Sequence, residues 1–291
     1  MANQAMANMF GYEFPEKMLT SVIDTALQYY VNPKDRSKLK EMMEEHGLIK
    51  GYEAQNYKKD GSIIWTSLTM HVVRDEKGKS IYYDSIIEDI TNRKQSVDRI
   101  KKALLATIHA IVVTVEVRDP YTAGHQRKVA DLARSIATEM NLPVDIIDGI
   151  RMAATIHDLG KISIPAEILS KPTKLTNIEF SFIKTHSQSG YDILKDIDFP
   201  WPVARIVLEH HERMNGSGYP NGLTGDNILL ESRILAVADV VEAMASHRPY
   251  RPSLGIEAAL EEIKKNKGTL YDNIVADACL RLFREKSFQL P

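Results

Sequence analysis

His157 and Asp158 stand side by side at the end of an apolar run, Ala154-Thr155-Ile156-His157-Asp158-Leu159-Gly160-Lys161. Successive residues on a helix point about 100° apart, so an adjacent imidazole and carboxylate make a poor chelate for one cation. They can straddle two cations about 3.5–4 Å apart, the spacing of dinuclear hydrolytic sites. His210-His211 repeats the arrangement, and with His125 and His186 five of the nine histidines fall in this part of the chain. Asp239 lies inside Ile234-Leu235-Ala236-Val237-Ala238-Asp239-Val240-Val241. A carboxylate among such neighbours costs several kcal/mol unless it is paired or coordinated. Imidazole and carboxylate donors without thiolates suit iron, manganese, zinc or nickel.

The elements that must position these residues are helical. Past residue 104 strand signals vanish, and helical patterns cover residues 100–117, 123–140, 144–159, 177–197, 202–212, 232–246, 255–266 and 273–285, an all-α domain of about eight helices. Leu132, Ala133, Ile136 and Met140 make one buried stripe; Ile146, Ile147, Ile150, Ala153 and Ala154 make another.

The first ninety residues have a different period. Pro15 opens a helix over residues 16–30, and Pro33 opens another over 34–45 that Gly47 stops. Residues 52–57, 62–74 and 80–90 are rich in aromatic and β-branched side chains, with turns at Lys59-Asp60-Gly61 and Glu76-Lys77-Gly78. Three antiparallel strands after small helices make a half-sheet. Ser67, Thr69 and His71 alternate with Leu68, Met70 and Val72, so one face of it is wet. His46 and His71 read as surface histidines, because no second cofactor signal supports a haem ligand or a pH sensor. From Ile90 onward, Val97, Ile100, Leu104, Ile108, Ile111 and Val112 recur at spacings of three and four. This amphipathic helix serves as a connector up to Leu104 and as the first core helix of the helical domain beyond it.

Bulk properties narrow the classes. A chain of 291 residues with 44% hydrophobic and 26% charged residues fits two soluble domains. A formal charge of −2 gives no case for DNA or RNA as partner. Any positive charge offered to a phosphodiester must be local. The single Cys279 excludes a disulfide framework and fits a reducing cytoplasm. No apolar run reaches membrane-spanning length, and the start Met-Ala-Asn-Gln-Ala lacks a signal peptide's basic and apolar regions.

Residues 1–95 resemble a PAS domain through Asn8-Met9-Phe10-Gly11-Tyr12, Lys59-Asp60-Gly61-Ser62 and Glu88-Asp89-Ile90-Thr91-Asn92-Arg93-Lys94. The resemblance implies a sensor that starts after the first two strands of that fold and leaves a sheet edge for a partner chain to cover. Residues 100–291 resemble the HD-GYP domain, a branch of the HD phosphohydrolases. The matching residues are Asp119-Pro120-Tyr121-Thr122-Ala123-Gly124-His125, His157-Asp158-Leu159-Gly160-Lys161, Lys184-Thr185-His186, His210-His211-Glu212-Arg213, Asn215-Gly216-Ser217-Gly218-Tyr219-Pro220, Ala238-Asp239 and Arg248-Pro249-Tyr250-Arg251-Pro252. The expected architecture is an α+β PAS-like module with an incomplete antiparallel sheet over residues 1–95, a connector helix over 90–104, and an all-α HD-type helical domain over 100–291.

The HD-GYP resemblance implies that His125, His157, Asp158, His186, His210, His211 and Asp239 hold two divalent ions, with Asp158 bridging. Iron or manganese comes ahead of zinc, nickel or magnesium. Some members add a third metal through a glutamate at the position of Tyr121, so two ions are expected here. Lys161 would contact the substrate phosphate and take part in catalysis with Asp158; Arg248 and Arg251 would contact phosphate or guanine. The glycine-rich loop 214–223 reads either as a brace for the His210-His211 helix or as a lip on which Tyr219 packs against a base or ribose. The implied activity is hydrolysis of the bacterial messenger cyclic di-GMP to linear pGpG, which many members of the family carry onward to GMP. A GGDEF-domain partner could bind the Gly-Tyr-Pro loop, and a homodimer could form through the connector. The competing readings are a hydrolase of another cyclic dinucleotide or nucleotide, and a receptor that binds cyclic di-GMP without cleaving it.

Overall fold

The computed structural model describes residues 2–77, 79–119, 124–246 and 253–290, and its chain divides into two units, Met1–Leu104 and Leu105–Pro291. In the first unit, α1 (Gln4–Met9), α2 (Pro15–Ser21), α3 (Thr25–Gln28) and α4 (Pro33–His46) precede β1 (Leu48–Tyr57), β2 (Ile63–Arg74) and β3 (Ser80–Asp89). Pro33 opens α4, the Asn32 side chain accepts from the Lys34 N–H, and Gly47 closes the helix at φ 66°. The single helix expected over 16–30 is two. Val22 is extended, and the Gln28 side-chain oxygen accepts from the backbone N–H groups of Ile23 and Asp24. That local bond offers the backbone an alternative to the helical ladder.

The strands pair antiparallel in the order β1-β2-β3. Leu68 is buried while His71 is exposed, as the alternation requires, and Phe10, Leu39, Met43 and Ile49 fill the space between helices and sheet. Among the described residues β3 pairs only with β2, and Ile81, Tyr82, Tyr83 and Ile86 on it are exposed. His46 is exposed as well, in keeping with a surface histidine.

The next helix, α5 (Thr91–Arg118), covers the range given to the connector and the first core helix, and at its start the Asp89 carboxylate accepts from the Thr91 N–H. Val97, Ile100 and Leu104 along it are exposed; Val112 and Val115 are buried in the second unit's core. That unit continues with α6 (His125–Glu139), α7 (Val144–Ile156), α8 (Ala166–Leu169), α9 (Asn177–Leu194), α10 (Val203–Glu209), α11 (Leu230–Ala245), α12 (Ile256–Lys265) and α13 (Asn273–Arg284). Helix α11 is the centre: Ile234, Leu235, Val237, Ala238 and Val241 are wholly buried, and it packs on α6, α7, α10, α12 and α13. Each such Ile, Leu or Val contributes about 1.5–3 kcal/mol by leaving water. A reciprocal cap starts α9, with Thr176 Oγ1 accepting from the Glu179 N–H and the Glu179 carboxylate accepting from the Thr176 N–H. No helix among the described residues is long and apolar enough to cross a membrane.

Candidate metal centre

Helix α7 ends at Ile156, short of the residue 159 that its periodicity suggested. His157 still has helical dihedrals, but Asp158 turns out of the helix (φ −90°, ψ 5°) into a 3₁₀ turn over Leu159–Ser163. The pair thus sits where one helical pitch gives way to another. His125 is the first residue of α6, His186 lies on α9, His210 and His211 follow α10, and Asp239 lies in the middle of α11. Gly160 makes the arrangement possible. A Cβ there would fall 1.9 Å from the His186 carbonyl oxygen and 2.5 Å from the Gly190 nitrogen, so only glycine lets α9 approach this turn so closely.

The structure brings all seven expected ligands together, in three overlapping groups: His125, His157 and Asp239; His157, Asp158 and His210; and His186, His210 and His211. Asp158 spans them, with Oδ1 3.5 Å from His186 Nε2 and Oδ2 3.6 Å from His157 Nε2 and 3.9 Å from His125 Nε2. Asp239 Oδ1 is 3.2 Å from His125 Nε2 and 3.9 Å from His157 Nε2, and its Oδ2 is 3.9 Å from His211 Nδ1.

The proton positions follow from what surrounds each ring. Nδ1 of His157 lies 2.7 Å from the Ala154 carbonyl, Nδ1 of His186 2.6 Å from that of Ile183, and Nδ1 of His210 2.6 Å from that of Val207. A carbonyl only accepts, so each Nδ1 carries the proton and each Nε2 presents a lone pair. Burial and neighbouring histidines push His210 down to about 3, and burial likewise lowers His186, so neither ring takes a second proton near neutrality. Yet His186 Nε2 and His210 Nε2 face each other at 3.2 Å, and buried His157 Nε2 has no hydrogen-bond partner among the described residues. Lone pairs aimed together in a buried space fit a divalent cation as the common partner.

The carboxylates agree. Burial alone would raise Asp158, but Lys161 and the surrounding histidines reverse this and hold it well below the usual carboxylate range. Asp239 is likewise held low against its burial, by His125 first.

Lys161 reaches back to Asp158 Oδ2 at 2.8 Å and to buried Asp119 at 3.5 Å. Tyr219 lies over the His211 ring, 4.6 Å between centroids, and Lys184 Nζ is 5.4 Å from the Tyr219 ring. Both readings of the loop have support. The Tyr219 N–H donates to the His211 carbonyl at 3.2 Å, which braces the end of α10, and the ring stands beside the cluster. Tyr121, Arg248 and Arg251 lie outside the described residues.

Three contributors were not legible as such in the sequence. Glu212, buried, accepts from the N–H groups of Asn221 at 2.7 Å and Leu223 at 2.9 Å and so clamps the loop. Glu242, also buried, accepts from His125 Nδ1. Gly160 acts through close packing. The available signal for Glu242 was its place three residues past Asp239 in the same apolar helix.

The HD domain family profile matches residues 112–275, and a PAS domain profile matches residues 1–92. The chain is similar to the cyclic di-GMP phosphodiesterase response regulator RpfG of Xanthomonas campestris pv. campestris, 39% identical over 188 residues that cover 64% of this chain and 50% of that protein. It is similar to a cyclic di-GMP phosphodiesterase of Thermotoga maritima, 40% identical over 184 residues covering 62% and 50% respectively. A third relative, the 3'3'-cGAMP-specific phosphodiesterase 3 of Vibrio cholerae, is 35% identical over 180 residues, 61% of this chain and 39% of that protein. The chain thus spans half or less of the length of these curated relatives.

Proposed function

The chain belongs to the HD domain family, with a PAS domain ahead of the HD domain, and from that premise we propose that it is a dinuclear-metal phosphodiesterase that hydrolyses cyclic di-GMP to pGpG. The observation that carries this reading is the convergence of five imidazoles and two carboxylates, all but His211 buried, with Nε2 lone pairs of His157, His186 and His210 turned inward. His125, His157 and Asp239 would hold one ion, His186, His210 and His211 the other, and Asp158 would bridge. Iron or manganese suits this donor set best. Two bound divalent ions supply a hydroxide at neutral pH by lowering the pKa of water, together with positive charge for the phosphoryl oxygens.

The chain's own residues do the rest. Asp158, ionised and held between the two groups, fixes their spacing. Lys161, tethered to Asp158, offers an ammonium to the phosphate, where charge grows in the transition state. Tyr219, with its loop clamped by Glu212, gives a flat face for a base or ribose. Arg248 and Arg251 are assigned to phosphate or guanine by their motif. The exposed loop residues Asn215, Ser217 and Asn221 suit a GGDEF-domain partner, and the exposed Val97, Ile100 and Leu104 suit a homodimer through the connector.

The names of the relatives support a cyclic dinucleotide, and they divide between cyclic di-GMP and 3'3'-cGAMP. Chromatography of products from a panel of cyclic dinucleotides and mononucleotides, using manganese- or iron-loaded protein, tests the choice. Cyclic di-GMP should yield pGpG first. Turnover of mononucleotides with cyclic di-GMP left intact would overturn the proposal.

A further inference from the structure

Glu242 is a carboxylate wholly enclosed in an apolar helix, and the seven ligands do not account for it. It accepts from Nδ1 of His125, and Ser246 Oγ donates to its Oε1 at 2.5 Å from the other side. The Nδ1–H groups of His157, His186 and His210 go to neutral backbone carbonyls of their own segments. His125 is therefore held differently: a side-chain carboxylate, not a backbone carbonyl, stands behind Nδ1 of its ring, and Nε2 lies 3.2 Å from Asp239. A carboxylate behind an imidazole raises the ring's basicity and fixes its orientation.

The consequence is an imbalance across the cluster. His125, His157 and Asp239 form a group that contains a carboxylate and has a second one behind it; His186, His210 and His211 form a group of neutral rings. Asp158 faces both. Asp239 leans to the first group, 3.2 Å from His125 against 3.9 Å from His211. Cation affinity rises with the negative charge gathered around a position.

Resting on the dinuclear reading above, we propose that Glu242 is a positioning residue that makes the two metal positions unequal. By orienting His125 and adding charge behind it, Glu242 causes the His125–His157–Asp239 position to bind its cation more tightly, and to load first. The His186–His210–His211 position is the exchangeable one.

The test is an anaerobic titration of the metal-stripped full chain with manganese(II) against a competing chelator, read as stoichiometry and affinity rather than turnover. Wild type should show two classes of site at least tenfold apart. Glu242→Gln keeps the size and an acceptor but removes the charge, and should weaken the tighter class by about 10- to 100-fold while leaving the weaker class within threefold. Ser246→Ala, which frees one side of the carboxylate, should weaken the same class only, by a smaller factor, and serves if Glu242→Gln does not fold. Equal loss in both classes, or no selective loss in either variant, overturns the proposal. Two equal classes in a wild type that still cleaves cyclic di-GMP would overturn this inference alone. A wild type that binds no divalent cation would overturn the dinuclear reading itself.

Discussion

Replacing Gly160 with alanine tests whether the contact between the 3₁₀ turn and α9 sets the geometry of the cluster. The added Cβ would lie 1.9 Å from the His186 carbonyl oxygen, 2.8 Å from its carbonyl carbon and 2.5 Å from the Gly190 nitrogen. A carbon and a carbonyl oxygen need about 3.3 Å, so the backbone is short of room by roughly 1.4 Å. All three atoms belong to the α9 backbone, and no rotamer change can relieve them. The helix must move away from the turn, carrying His186 from its place 3.5 Å from Asp158. A misplacement of about 1 Å can cost on the order of 100-fold in rate, and overpacking costs about 1–3 kcal/mol in stability.

The assays are kcat on cyclic di-GMP, metal content and thermal unfolding of Gly160→Ala beside wild type. The expected result is kcat lower by about 100-fold, a loss of bound metal, and a midpoint lower by several degrees. Gly190→Ala is the comparison. Its Cβ meets a Val207 methyl at 2.8 Å, a side chain able to turn aside, and the backbone of Gly160 only at 3.5 Å. It should keep activity within about tenfold of wild type. If Gly160→Ala keeps full metal content and activity within threefold, the turn does not position His186 and the reasoning fails.

Further outcomes follow from the same cluster. Asp158→Ala should abolish turnover and reduce bound metal, since that carboxylate faces both groups; unchanged activity in a kcat assay would remove Asp158 from the site. Lys161→Met should lower kcat by about 10²–10³-fold with metal content kept, and a loss confined to KM would assign Lys161 to ground-state binding instead. Metal-stripped protein should lose stability as pH falls from 7.5 to 5.5. His210 is depressed to about 3 by burial, so between its unfolded pKa near 6.5 and that value the unfolded chain binds the extra proton, and stability falls with pH through that window. At pH 5.5 this ring alone contributes a loss on the order of 1 kcal/mol, and His186 and His211 act in the same direction. Urea unfolding at the two pH values checks it, and equal midpoints would refute it.

Much of the helical unit was legible because its helices carry one face of apolar residues at steady spacing, and packing then had one solution. Leu132, Ala133, Ile136, Ile150, Ala153 and Ala154 in the two expected stripes are wholly buried, whereas Met140, Ile146 and Ile147 at their margins are half-buried. The errors lie where side chains bond to the local backbone. Gln28 binding the Ile23 and Asp24 N–H groups splits a helix whose composition gave no warning, and the end of α7 came early because the pitch changes at Asp158. Periodicity registers side-chain patterning and is blind to such local competition.

The site divides along a related line. A histidine or aspartate in an apolar segment signals itself through the cost of burying it, and that cost pointed to Asp239. The same argument applies to Glu242, since Val240, Val241, Ala243 and Met244 around it are as apolar as the neighbours of Asp239. The apolar run continues past Val241 and encloses it, although its partner is 117 residues away and only the fold reveals which ring it serves. Gly160 lies beyond any such argument. A glycine in sequence announces a turn or a left-handed residue, whereas here it is the absence of a side chain against the carbonyl of His186 that matters, and an absence has no pattern until two segments are brought together. Ligands can therefore be read from the cost of burying their polar atoms, but the spacing between ligands depends on residues whose contribution is the room they leave.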